Sequence, residues 1–332
     1  MTSPAHPDTV LFDAEERFPL LPAVDHYAGS ERRMQKAMEL QQEYGPVFDI
    51  TFDCEDGAAT GEEEAHAHLV ARLLNSADNH FGRIGVRVHD TTHAHWKRDL
   101  EILLGEAGER IAFLTLPKVR SAEDLFRHIE WIEELENRTG LVRPIPTHVL
   151  IETHGAVRDI WNIAAHPRVR SLDFGVMDFV SAHHGALSGA AMRSPLQFTH
   201  PVLVRAKTEI VAAALANGAV PTHNVTTELN DIDAIRDDAR RAREDFGFLR
   251  MWSIHPGQIR PILEAMRPDF NEIGAAASIL SAAQDAQWGP IRHAGTLHDR
   301  ASYRYYWEVL RRAHMTGASL PDGIETRFFA AS

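Results

Sequence analysis

Val47-Phe48-Asp49-Ile50-Thr51-Phe52 runs directly into Asp53-Cys54-Glu55-Asp56-Gly57. The first six residues are rich in β-branched and aromatic side chains and read as a buried strand. The acids and the Asp-Gly pair that follow read as a polar turn at its carboxyl end. On either side the period changes from that of a strand to that of a helix, over Glu31 to Tyr44 and Glu62 to Ser76.

The same strand-then-helix unit recurs along the chain. Further strands are expected at Ala23 to Ala28, Ile84 to Val88, Ile111 to Leu116, His148 to Ile151, Ser171 to Val176, Ala219 to Val225 and Met251 to Ile254. Helices are expected at Trp96 to Glu106, Ala122 to Asn137, Val157 to Ala165, Val202 to Asn217 and Asp231 to Phe246. Ser121 is placed as an N-cap before two acids, and Gly218 as a left-handed helix stop. Alternation of this kind implies parallel strands with crossover helices, and continuous apolar runs imply burial on both faces. About eight such units close into an α/β fold, the (β/α)8 TIM barrel, whose usual length is about 250 residues. The barrel is expected over residues 1–270 and a C-terminal helical extension over 271–332. An open doubly wound sheet is the rival architecture. No G-x-G-x-x-G follows an early strand, so its dinucleotide-binding form has no support.

Composition narrows the function. A formal net charge of −13 argues against a nucleic-acid-binding surface, which needs a basic footprint. No apolar run approaches the roughly 20 residues of a membrane-spanning helix. The single cysteine, Cys54, allows neither a disulfide framework nor a Cys-based zinc site, and acids flank it, so it is a poor nucleophile. Met1 to Glu16 lacks a basic flank followed by an apolar stretch, so no secretory leader is expected and a cytoplasmic setting is the default.

In a (β/α)8 barrel, chemistry sits at the carboxyl ends of the strands. Those ends carry Asp53, Glu55 and Asp56, then Arg87, Lys118, Glu152, Asp178 and His255. Glu152 and Asp178 close consecutive strands, and two hard carboxylates beside open positions suit Mg2+. Either one alone reads more simply as a helix cap or an ion-pair partner. Arg87 lies in an apolar run and needs an acid, which Asp53 to Asp56 supply; it could also stabilise an oxyanion. One of the three acids is expected to do no more than tie the turn at Gly57. His66-Ala67-His68 and His93-Ala94-His95 have a spacing that does not share a helix face, and read as solvated. His183-His184 follow the sixth strand and could overlook the site.

Taken in order, several blocks resemble the citrate lyase beta-subunit family, also called the HpcH/HpaI aldolase family, which includes malyl-CoA lyases. They are Gly29-Ser30 through Lys36-Ala37, Asp53-Cys54-Glu55-Asp56-Gly57-Ala58, Val86-Arg87-Val88, Leu116-Pro117-Lys118-Val119, Leu150-Ile151-Glu152-Thr153, Phe174-Gly175-Val176-Met177-Asp178 and Ile254-His255-Pro256-Gly257-Gln258-Ile259. The resemblance implies an Mg2+-dependent carbon–carbon lyase, of retro-aldol or Claisen type, acting on a 3-hydroxyacyl-CoA such as citryl-, malyl- or citramalyl-CoA. It implies Glu152 and Asp178 as metal ligands, Arg87 as the oxyanion-side cation, and Glu55 and Asp56 as residues that orient it. Arg32, Arg33, Lys36 and Lys118 would meet the CoA thioester. Gly295-Thr296-Leu297-His298-Asp299-Arg300-Ala301 is similar to the family's C-terminal lid, with Asp299 as general acid/base. Pro221-Thr222-His223-Asn224 stands where the family usually has an Asp-containing segment. Expected partners are a 2-oxo acid and a CoA thioester, in a homotrimer or homohexamer, with no nucleic acid and no membrane. A divalent-metal aldolase on free hydroxy-oxo acids and a non-catalytic ligand-binding subunit are the alternatives.

Overall fold

The computed structural model describes residues 5–12, 18–58 and 60–330. Much of Met1 to Glu16, read above for a leader, lies outside the described residues. The chain divides into two compact units: Pro22–Met266, and the described residues before Pro22 together with those from Arg267 onward.

The larger unit is a closed parallel barrel of eight strands. They are β1 (Val24–Ala28), β2 (Asp49–Asp53), β3 (Ile84–Arg87), β4 (Leu114–Leu116), β5 (Thr147–Ile151), β6 (Val169–Phe174), β7 (Val220–His223) and β8 (Arg250–Ser253). Closure is made by β1 against β8, with Val24 opposite Met251 and Asp25 opposite Trp252. This excludes the open sheet. The strands are buried along nearly their whole length, as both-face burial requires. Ile50, Phe52, Val86, Leu114, Val149, Leu172 and Met251 pack with the covering helices in one core.

Helix boundaries follow the expected signals. Ser121 accepts a hydrogen bond from the Asp124 amide (3.1 Å) at the start of Ala122–Thr139. Gly218 is left-handed (φ +71°) after the helix Pro201–Ala216. Two elements differ from expectation. The helix expected over Val157 to Ala165 is two short ones, His154–Arg158 and Ile160–Ala164. Asp159 interrupts them; its carboxylate accepts from the Ala122 amide (3.2 Å) and from Arg158 (2.8 Å). The sixth strand stops at Phe174, and Val176 opens the helix Val176–Ser181. Asp178 therefore stands in the first turn of a helix, not on a strand end.

The smaller unit contains the helices Phe270–Asp285 and Arg300–Met315 and the antiparallel strands β9 (Ile291–His293) and β10 (Thr296–His298). Leu280, Tyr303, Trp307 and Leu310 form its core together with Leu11.

Candidate active site

A cavity of about 360 Å³ opens at the carboxyl ends of the barrel strands, lined by Asp53, Asp56, Arg87, Glu152 and Asp178 among others. Tyr27, Val225 and Trp252 also line it and, with Leu150, make a small apolar cluster, the Tyr27 and Trp252 rings lying 4.2 Å apart.

Arg87, at the end of β3, is opposite Asp53 on β2. Its Nε and Nη2 meet Asp53 Oδ1 and Oδ2 at 2.7 and 2.5 Å, and its Nη1 meets Glu55 Oε2 at 2.9 Å. The fork geometry suits a guanidinium and fixes its plane. Asp53 also accepts from the Glu55 and Gly57 amides (3.0 and 2.8 Å), so it ties the turn as well as holding Arg87. A Cβ on Gly57 would lie 2.2 Å from Asp53 Oδ2, which is why this close turn needs glycine. The turn-tying role expected for one of the three acids falls on Asp53. The pairing of Arg87 with the Asp53-to-Asp56 segment is as expected, and Asp53 and Glu55 are the two acids that make it.

Lys118 has a left-handed backbone (φ +50°), a conformation that L residues adopt at a cost of about 1–2 kcal/mol. That turn points its amide at Glu152 Oε1 (2.6 Å). Its ammonium binds Glu55, and Asp56 Oδ1 and Oδ2 at 3.1 and 3.1 Å. Its charge is thus engaged within the site. Arg33 lines the cavity from the helix Glu31–Tyr44. Arg32 on the same helix is exposed, and Lys36 pairs with Glu39 (3.0 Å).

Glu152 is 3% exposed. Burial, and then the charge of Asp178, push its carboxyl up to about 8. Gly175 makes room for it: a Cβ there would lie 2.1 Å from Glu152 Oε2. A buried carboxylate beside a second one is unfavourable without a cation. The donor set is hard, anionic and at a cavity wall, which fits a divalent ion such as Mg2+ with part of its coordination left to water or ligand.

Among the described residues, the one group of three metal-type ligand atoms within 4.8 Å is Asp25, His148 and Asp173, and it lies elsewhere, buried inside the barrel. Arg250 is already there, 3.1 Å from Asp25 and 2.8 Å from Asp49. A guanidinium in that place supplies the charge a metal would.

Other expected residues fall outside the cavity. His255 Nδ1 accepts from the Gly257 amide (3.2 Å) and is exposed. His183 bonds the Phe179 carbonyl (2.8 Å) rather than overlooking the cavity. Neither histidine pair is simply solvated. His66 Nε2 holds the Asp53 carbonyl (2.9 Å), and His93 stacks on His89 at 3.8 Å. Cys54 is buried, and burial raises its thiol well above the usual range, as its dismissal as a nucleophile requires. Asp299 belongs to the smaller unit. There it caps Arg300–Met315, accepting from the Ala301 and Ser302 amides at 3.1 and 3.4 Å.

A closed (β/α)8 barrel with polar and charged side chains gathered in a cavity at its strand ends has the architecture of a barrel enzyme. Residues 36–256 match the family model for HpcH/HpaI aldolase/citrate lyase, and the chain belongs to that family. An L-malyl-CoA/beta-methylmalyl-CoA lyase of Cereibacter sphaeroides is 27% identical over 282 residues, covering 81% of this chain and 88% of that protein. The crystal structure of a citrate lyase from Burkholderia xenovorans is 53% identical, with a TM-score of 0.84, covering 98% of this chain and all of that one. The CitE protein of Mycobacterium tuberculosis, in complex with magnesium, acetoacetate and coenzyme A, shares the fold at 23% identity and a TM-score of 0.65, covering 89% of this chain and 98% of that one. Among the described residues no helix is long and apolar enough to cross a membrane.

Proposed function

We propose that the protein is an Mg2+-dependent carbon–carbon lyase that cleaves or forms a 3-hydroxyacyl-CoA such as citryl-, malyl- or citramalyl-CoA, with a 2-oxo acid as the other partner. The observation that carries this reading is Glu152: a buried carboxyl, aimed by a backbone amide, paired with Asp178 at the wall of a cavity that also presents Arg87. Membership of the family and the lyase names of its relatives support it.

Glu152 and Asp178 would hold the ion, which when bound polarises the oxygens of an oxo acid. Arg87 does the complementary work. It stays cationic at any accessible pH, and Asp53 and Glu55 keep its plane fixed toward a negative charge developing on the thioester oxygen. Asp56 and Glu55 restrain Lys118, whose amide in turn aims Glu152. Arg33 at the cavity, with Arg32 and Lys36 on the same helix, is the basic set offered to the phosphates of a CoA thioester. Asp299, from the C-terminal unit, is taken as the proton-transfer group, and the unit as the lid. Assembly as a trimer or hexamer completes the reading, and light scattering tests it.

The experiment is Glu152→Gln. Release of pyruvate, glyoxylate or oxaloacetate from a panel of acyl-CoA esters should require Mg2+ in the parent protein and vanish in the variant, with the circular dichroism unchanged. Normal turnover in the variant refutes the assignment. Equal turnover of the corresponding free acids would move the function to a free-acid aldolase.

A further inference from the structure

Gln258 stands in the first turn of the helix Pro256–Met266, just past β8, and is fully buried. Its side-chain amide meets four backbone groups. On one side are the Ile254 and His255 N–H groups, at 2.9 and 3.2 Å. On the other are the Thr226 and Glu228 carbonyls, at 3.0 and 2.7 Å. An N–H only donates and a carbonyl only accepts, so the amide can lie one way round. Its oxygen faces the turn after β8, and its nitrogen faces the loop after β7. Both donor positions of the amide are used, and its oxygen accepts twice.

The two segments joined in this way frame the cavity. The pairing of β7 with β8 reaches His223 opposite Met251. Beyond it, the loop that leads to the helix Ile232–Phe246 supplies Asn224, Val225 and Thr227 to the cavity wall, and the β8 side supplies Trp252 and Ile254. None of the five is charged. The charged groups Arg87, Glu152 and Asp178 come from the β3, β5 and β6 side. The loop after β7 is itself ordered, because the Glu228 carboxylate accepts from the Leu229, Asn230 and Asp231 amides at 2.9, 2.9 and 3.1 Å. Gln258 therefore fastens one ordered loop to the next strand's turn from behind, without lining the cavity.

We propose that Gln258 is a positioning residue of this site. Its amide sets the spacing of the uncharged wall made by the β7 and β8 loops, and so governs how tightly the cavity holds its organic ligand while leaving the metal-binding side alone. The inference rests on the lyase reading for the identity of that ligand, but not for the tie between the loops.

Two variants divide the tie. Gln258→Met removes all four hydrogen bonds. Gln258→Glu keeps an acceptor for the Ile254 and His255 amides but cannot donate to both the Thr226 and Glu228 carbonyls. Hydrogen exchange reads that division directly: the Ile254 and His255 amides should lose protection in the Met variant and keep it in the Glu variant. Malyl-, citramalyl- and citryl-CoA are then compared in the presence of Mg2+, by KM where they are turned over and by Kd from calorimetry where they are not. Both variants should weaken these esters about tenfold, with kcat and the Kd for Mg2+ alone within about twofold of the parent, because uniform binding is lost and the metal side is untouched. A Glu variant that holds the esters like the parent would reduce Gln258 to a cap of the β8 turn. Loss of Mg2+ affinity in step with ester affinity, or a Glu variant that does not fold, would make it a prop of the whole barrel. Unmoved affinities in both variants would deny it any part in the cavity. Each of these overturns the proposal. A parent that binds the esters without cleaving them, and is weakened in both variants, leaves this inference standing and removes the lyase reading. Cleavage with unmoved affinities does the reverse. A parent that neither binds nor cleaves them overturns both.

Discussion

The barrel carries acidic side chains at two levels and neutralises them differently. In the sealed interior of the barrel, Asp25, Asp49 and Asp173 surround the fully buried Arg250, with Thr51 donating to Asp25 and Ser171 and Trp252 to Asp173. Toward the carboxyl ends, Asp53, Glu55 and Asp56 are matched by Arg87 and Lys118, while Glu152 is held by a backbone N–H rather than by a cation. The sealed level shares one guanidinium among three acids and keeps Asp25 protonated by burial up to about 7; at the open level Glu152 has no cation of its own beside Asp178. Excess charge at a cavity is a capacity to bind, whereas the same charge in a sealed interior must be cancelled by the chain itself.

The comparison can be broken most directly at its cations. Arg250→Met removes the cation shared by three buried acids, of which only Asp49 keeps another, Arg83 at 3.4 Å, and should cost about 3–5 kcal/mol of stability, read from the urea midpoint. Glu152→Gln should do the opposite in metal-free protein, holding or raising the midpoint, because it removes the repulsion with Asp178. Equal losses in the two variants would mean that the levels are not electrostatically different.

A smaller effect sharpens the same contrast through pH. Burial, opposed by Arg250 and reinforced by Asp49, raises Asp25 from 3.8 to about 7. Between those values the unfolded chain has released this proton and the folded chain still holds it. The Asp25 contribution to stability therefore falls as pH rises from about 4 to about 7, and is constant on either side. Asp25→Asn removes the ionisable group and keeps an oxygen for Thr51, whose hydroxyl donates to Asp25 at 2.8 Å. The variant should flatten the slope of stability against pH in that window. A slope identical to the parent's would place the titration on Asp49 or Asp173, which burial also raises.

The two levels were not equally legible. The open one lies in short motifs at strand ends, where a polar residue interrupts an apolar run, so Glu152, Arg87 and the Asp53-to-Asp56 turn could be read from position alone. The sealed one is built from Asp25, Asp49, Asp173 and Arg250, each on a different strand. Their meaning depends on the register that closes β1 onto β8, which local pattern does not contain. The same holds for the buried hydrogen bond between Asn224 and Gln197, a contact across 27 residues of chain. Asp178 was found by its motif but assigned to the wrong element. Gly175, where the strand stops, is the residue that Glu152 approaches from the neighbouring strand, a tertiary contact.

The smallest expected change in stability concerns the C-terminal unit. Asp299 caps Arg300–Met315 through the Ala301 and Ser302 amides, and its own amide takes the Ser302 hydroxyl at 3.1 Å. This explains its presence without any chemistry, so the proton-transfer role needs a variant that separates the two. Asp299→Ala removes both the cap and the acid, and should cost about 1 kcal/mol in the thermal unfolding of the unit. Asp299→Ser keeps a capping oxygen and removes only the carboxyl, so it should unfold with the parent. If Asp299 transfers a proton, both variants lose turnover alike although only one loses stability. Turnover that survives in the serine variant would reduce this residue to a helix cap, and would leave the acid/base step to the barrel's own acids.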